Sequence, residues 1–272
     1  MPAHPQVQAV LRAARAHPDQ TLVALDYDGT LAPIVDDPEQ ARPLPETVAV
    51  LTALSARVGL VAVVTGRPAG IAVRLGSLDR LAGRQVVVRG AYGAERWDAR
   101  TGTYDDPPVP PEVAAARVRL QALVEAAGTG VVLEDKGRAL AVHTRRADDP
   151  AGAFARLRPV VAEVAAELGL RFEPGRQVLE VRPAGVDKGA VLRELVRETG
   201  AQVVVYAGDD LGDEPAFEAL RELRAGGLRT LGVLVASAEV AWPDARRDEL
   251  VDLEVAGPAG LLDLLGLLSQ AS

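Results

Sequence analysis

The chain has 272 residues, 48% of them hydrophobic, with a formal net charge of −8, 3 histidines and no cysteine. That is enough material for one large or two smaller globular cores, and the acidity without any basic run argues against nucleic acid or an anionic membrane surface as a natural partner. Disulfides, thiol catalysis and thiolate metal sites are excluded and a histidine-rich zinc site is disfavoured, which leaves carboxylate oxygens, suited to magnesium, as the abundant metal ligands.

No stretch approaches the roughly 18 apolar residues of a membrane span, and the first residues lack a basic segment followed by an apolar one, so the expected location is the cytoplasm. Residues 5–17 carry Val7, Val10, Leu11 and Ala14 at helical spacing before His17-Pro18, which predicts a short packing helix. Thr-Leu-Val-Ala-Leu over 21–25 then runs straight into Asp26, Asp28 and Gly29-Thr30. An apolar strand thus delivers acids to its C-terminal edge, where open α/β sheets gather ligands. Because side chains alternate along an extended chain, Asp26 and Asp28 can lean to the same side and repel unless something holds them. A divalent cation is one holder, with phosphoryl transfer as the work; an ordinary Asp-Gly turn accounts for the same residues without chemistry.

The proline-rich stretch 32–45 predicts a loop and 46–58 a helix. Leu-Val-Ala-Val-Val over 60–64 is a second buried strand, ending in Thr65-Gly66-Arg67. A hydroxyl, a guanidinium and a glycine that lets backbone N–H groups approach an anion make a phosphate contact there; the alternative is a plain loop glycine. A third strand follows at 85–88. Between about 96 and 184 the pattern changes to short alternating strands at 94–97, 131–135, 139–143, 171–173 and 178–182, with amphipathic helices at 113–127 and 151–170. This predicts an inserted domain, an antiparallel sheet carrying two helices on one face. Asp187-Lys188-Gly189 opens a helix to about 198, and a strand over 202–208 ends in Asp209-Asp210-Leu-Gly-Asp213. A strand at 231–235 and a helix at 259–268 close the chain. No chemistry is assigned to 236–258, where Trp242 and Pro243 read as packing and a turn.

If these strands are parallel neighbours, Asp26, Asp28, Thr65, Lys188, Asp209 and Asp213 converge on one edge. The D-x-D-G-T run, the hydroxyl-ended second strand, the isolated lysine and G-D-D-x-x-D resemble, in order, the four motifs of the haloacid dehalogenase-like phosphatases. Glu134-Asp-Lys136-Gly, His143-Thr-Arg145, Glu180-Val-Arg182-Pro and the Tyr206 to Glu214 run resemble the trehalose-6-phosphate phosphatases. The resemblance implies an α/β fold with a Rossmann-like parallel-sheet core, 1–95 and 185–272, and an inserted α/β (type IIB) cap, 96–184. The expected hinges are near 90–98 and 183–187.

It implies Mg2+-dependent hydrolysis of trehalose 6-phosphate, with Asp26 as nucleophile and Asp28 as general acid and then base. Thr65 and Lys188 hold the phosphoryl oxygens, beside Gly66 and Arg67. Mg2+ is held by Asp26, Asp209 and the backbone carbonyl of Asp28, with Asp213 contacting it directly or through water. Glu134, Lys136 and Glu180 are the implied contacts to trehalose; the plainer reading is a solvated charge pair on the cap surface. His143 and Arg182 stand between the two roles. Ala91-Tyr92-Gly93 departs from the family's Ser-His-Gly at the expected hinge, and Gly212 from its Thr. The alternatives are a phosphatase of another sugar phosphate, such as a sucrose or mannosyl-glycerate phosphate, and a catalytically silent sugar-phosphate sensor. A trehalose-6-phosphate synthase is the implied functional partner.

Overall fold

A computed structural model describes residues 5–35, 37–185, 187–236 and 242–270. Asp36 of the expected loop, Val186 of the expected hinge and 237–241 of the segment without assigned chemistry lie outside them. The chain begins with α1 (Pro5–Ala16), β1 (Thr21–Leu25), α2 (Thr47–Ser55), β2 (Leu60–Val64), α3 (Ala69–Gly76), β3 (Val86–Gly90), β4 (Glu95–Asp98) and β5 (Thr103–Asp105). The middle runs α4 (Pro111–Ala127), β6 (Val132–Asp135), β7 (Leu140–His143), α5 (Pro150–Glu167), β8 (Leu170–Gly175) and β9 (Val178–Pro183). The last part is α6 (Lys188–Thr199), β10 (Val203–Gly208), α7 (Glu214–Ala225), β11 (Arg229–Ala236), α8 (Asp244–Leu250), β12 (Leu253–Ala256) and α9 (Gly257–Ser269). Two compact units result, Met1–Asp105 with Asp187–Ser272, and Asp106–Val186.

The larger unit is built on an eight-stranded sheet in the order β12-β11-β10-β1-β2-β3-β4-β5. From β12 to β3 every pairing is parallel; β4 and β5 add an antiparallel edge. Every residue of β1 and β2 is buried, as an unbroken apolar run must be when helices cover both faces. Val23, Leu25, Val61 and Val205 pack with residues of α1, α2, α3 and α9. Their alternating neighbours Leu22, Ala24, Ala62 and Val204 pack with residues of α6 and α7. Each such fully buried Val or Leu is worth about 1.5–3 kcal/mol over its exposed state. β1 lies between β10 and β2, in register from Thr21↔Val203 to Leu25↔Ala207 and from Leu22↔Leu60 to Leu25↔Val63. The three strands whose ends carry the motifs are therefore adjacent, parallel and level.

The smaller unit is a four-stranded antiparallel sheet in the order β6-β7-β9-β8. Leu140, Val142, Leu179 and Val181 face α4 and α5 across a buried core, while Glu134, His143 and Glu180 occupy the alternate positions. One strand differs from expectation. Residues 94–97, read as part of the insert, form β4 on the antiparallel edge of the large sheet, from Val87↔Asp98 to Gly90↔Glu95. Two contacts commit it there: Trp97 is buried in the larger core, and the Glu95 carboxylate accepts the Ala69 N–H at 2.6 Å. An alternating pattern announces a strand but not the sheet it joins. Among the described residues, no helix is long and apolar enough to cross a membrane.

Candidate active site

The ladder between β1 and β10 continues one residue beyond β1, because the Asp26 N–H donates to the Ala207 carbonyl at 2.8 Å. That bond plants the Asp26 carboxylate level with the end of β10, where Asp209 follows Gly208. The turn after it needs Gly29: its φ is +72°, and a methyl group there would land inside the Asp209 carboxylate. Gly208 is required for the same reason, since its missing side chain leaves the space that the Asp213 carboxylate fills. The acids approach one another because glycine removes what would keep them apart.

Asp26, Asp209 and Asp213 are all buried and each offers an oxygen within 4.8 Å of the others. Lys188, at the first turn of α6, donates to Asp26 Oδ1 at 2.8 Å and to Asp213 Oδ1 at 2.6 Å. Asp187 caps that helix by accepting the Ala190 N–H at 2.8 Å, which fixes where the lysine starts. Burial alone would depress the Lys188 amine, but Asp213 and Asp26 more than compensate, so it is held well above its ordinary range and stays charged. The acids pay for their crowding. Burial, with Asp213, Asp209 and Asp210 adding to it against Lys188, raises Asp26 well above the usual carboxylate range. Burial and the neighbouring Asp210 and Asp213 push Asp209 from 3.8 to about 8. Lys188 offsets only part of this negative charge; the remainder, carried by hard oxygen donors, fits a divalent cation of the magnesium type.

Asp28 sits on the solvent side. Arg67 grips it with a fork, Nε to Oδ2 at 2.6 Å and Nη2 to Oδ1 at 2.7 Å, while Nη1 reaches the Pro38 carbonyl at 3.0 Å. The guanidinium expected to meet phosphate is engaged with the expected general acid. Thr65 is buried at the end of β2 and its Oγ1 accepts the Arg67 N–H at 3.1 Å, closing the turn around Gly66. Ala91 and Tyr92, where the sequence departs from the family pattern, both take positive φ, 47° and 56°. Their N–H groups donate to the Arg67 and Thr65 carbonyls, so this strained pair buttresses the 65–67 turn.

Within the smaller unit, Lys136 Nζ donates to Glu180 at 2.7 Å and His143 Nε2 lies 2.7 Å from Glu134. Glu180 and Glu173 face each other directly across β9 and β8, a like-charged pair that Lys136 and Arg182 neutralise from either side, with Arg182 donating to Glu173 at 2.8 Å. The result is one sheet face of alternating donors and acceptors.

Two residues named in the sequence analysis make hydrogen bonds at the site that it did not assign. Tyr206, an interior residue of a strand that reads as apolar, donates its phenol to Asp213 Oδ1 at 2.6 Å. Trp242, taken as packing, is indeed buried but also donates its indole N–H to the Asp209 carbonyl at 3.0 Å. A hydroxyl or indole inside an apolar pattern is the available signal, because a buried Tyr or Trp usually has a polar partner.

The trehalose-phosphatase family model matches residues 24–82 and 111–248. A trehalose-phosphate phosphatase of Mycolicibacterium paratuberculosis is 38% identical over 217 residues, covering 73% of this chain and 51% of that protein. One of Mycobacterium avium is 38% identical over 219 residues, with the same coverage. The chain spans about half the length of these curated relatives. A solved structure of Aspergillus fumigatus trehalose-6-phosphate phosphatase is 25% identical, with a TM-score of 0.69, and covers 99% of this chain and 98% of that one.

Proposed function

Since the chain belongs to the trehalose-phosphatase family, we propose that it hydrolyses trehalose 6-phosphate to trehalose and inorganic phosphate. The observation that carries the reading is the buried set of Asp26, Asp209, Asp213 and Lys188 at the level ends of β1 and β10. Asp26 attacks phosphorus; the ester P–O bond breaks, and the sugar oxygen takes a proton from Asp28. Asp28 then removes a proton from water, whose oxygen attacks phosphorus, and breaking the bond to Asp26 releases phosphate and restores the carboxylate. Lys188 and Thr65 hold the phosphoryl oxygens as charge redistributes. Asp26, Asp209 and the Asp28 carbonyl, with Asp213 beside them, are the groups for Mg2+, which when bound offsets the repulsion between carboxylate and phosphate.

Glu134, Lys136 and Glu180 recognise sugar hydroxyls, which need donors and acceptors together. Lys136→Met is expected to raise KM for trehalose 6-phosphate about tenfold, one lost charged hydrogen bond, while leaving p-nitrophenyl phosphate kinetics alone. The deciding assay is phosphate release from a panel of sugar phosphates with and without Mg2+. Trehalose 6-phosphate should have the highest kcat/KM, and Asp26→Asn should abolish turnover while substrate still binds. A better sugar phosphate moves the substrate assignment, substantial turnover by Asp26→Asn removes the covalent route, and no release at all favours the silent sensor.

A further inference from the structure

We infer that Tyr206 is a positioning residue: its hydroxyl fixes the Asp213 carboxylate, which pins Lys188 against Asp26, so that Asp213 anchors the lysine and is not a direct ligand of the cation. The inference rests on the phosphatase reading above.

A carboxylate has two oxygens and about four acceptor directions. At Asp213, four donors use them. Oδ1 accepts from Tyr206 and from Lys188, each at 2.6 Å; Oδ2 accepts from the Asp209 N–H at 2.9 Å and the Asp210 N–H at 3.2 Å. The residue is fully buried. A cation bound directly would have to displace one of these donors and leave it unpaired in the interior. The same packing makes the group a good anchor, because its four bonds come from β10, from the backbone after it and from α6.

Tyr206 is the part of this anchor with no other evident purpose. It is fully buried, and phenylalanine would fill nearly the same space without a hydroxyl to satisfy. Its ring stands edge-on to Phe217, centroids 5.5 Å apart, and Phe217 stands edge-on to Trp242 at 5.4 Å. Trp242 in turn donates to the Asp209 carbonyl. The phenol is therefore held from behind by an aromatic column that also steadies the backbone at Asp209. Without it Oδ1 keeps only the lysine as donor, and the Asp213 carboxylate is held about its terminal torsion by the two N–H bonds to Oδ2 alone, so the shared oxygen fixes the amine less closely. Displacements of about 1 Å at such a group cost on the order of a hundredfold in rate.

The test uses Tyr206→Phe, Asp213→Asn and the double variant of the full chain. It reads kcat and KM on trehalose 6-phosphate and p-nitrophenyl phosphate, Mg2+ affinity by calorimetry, and melting temperature. Tyr206→Phe should lower kcat about 10- to 100-fold on both esters, the range of a hydrogen bond to a charged group, with KM and Mg2+ affinity within about threefold of wild type. In the Asp213→Asn background the same change should cost less than about twofold more, as expected if one residue acts through the other. Wild-type kcat in Tyr206→Phe overturns the inference, as does a full loss repeated in the Asp213→Asn background. Should Tyr206→Phe not fold, Asp213→Asn still decides the anchor: Mg2+ affinity within about a hundredfold of wild type, the loss expected for a group that supports the ligands without being one, supports it and a larger loss overturns it. Wild-type protein that turns over neither ester overturns the phosphatase reading instead, and the calorimetry stands apart from that result.

Discussion

Arg67 is where a single residue's geometry departs most from what its type suggests. Glycine beside arginine at a strand end reads as an anion cradle, yet the guanidinium spends its fork on Asp28. A fork of two parallel N–H bonds fixes both the position and the plane of a carboxylate. Arg67→Lys keeps the charge and loses the plane, so kcat on trehalose 6-phosphate should fall about tenfold or more, the worth of a charged hydrogen bond. The loss should be smaller on p-nitrophenyl phosphate, whose leaving group departs without a proton. Equal losses on the two esters would assign Arg67 to the phosphate and leave Asp28 oriented by other means. The phosphate contact is what the sequence suggests; the pairing with Asp28 is not legible there, because it joins two loops through rotamers that a linear pattern does not encode. The same holds for Tyr206 with Asp213.

Among elements, those with a strong period were legible and those set by partners were not. β1, β2 and β10 announce themselves as apolar runs, and α4 and α5 as stripes at helical spacing. β4 was seen but given to the wrong sheet, since only Trp97 and Glu95, through their partners, decide where it pairs. α8 and β12 fall in a stretch that shows no periodic signal and are short, seven and four residues; packing against larger neighbours defines them. The turn after β1 is legible down to one atom. Gly29→Ala must take φ +72° with a side chain and push Asp209 aside. The first effect costs about 1–2 kcal/mol, a drop in Tm of roughly 2–8 °C for a chain of this size. The second should remove Mg2+-dependent turnover in protein that still folds, which thermal melting and a phosphate assay measure side by side.

For the molecule as a whole, the buried acids set how stability responds to pH and to metal. Asp209 titrates at about 8 in the folded chain and near 3.8 when its surroundings are lost. Between those values this group binds more protons in the folded state than in the unfolded one, so its contribution to metal-free stability falls as pH rises from about 4 to 8. Asp26 is raised in the same sense. Mg2+ should therefore raise the melting temperature little at pH 5 and progressively more up to pH 8, a trend that scanning calorimetry with and without EDTA reads directly; a Mg2+ effect independent of pH would contradict it. A second whole-molecule consequence lies in the order of the chain. β1 has its neighbour β2 at once, but its other edge waits for β10, and the Thr30 to Asp209 contact closes a span of 179 positions. At about 5–20 residues per second, a ribosome needs roughly 10–40 s to make that span. During that time the smaller unit, whose pairings are all internal, can complete itself. The nascent larger unit meanwhile shows an unpaired apolar strand edge to the cell, so synthesis is the stage at which this protein has most need of a chaperone.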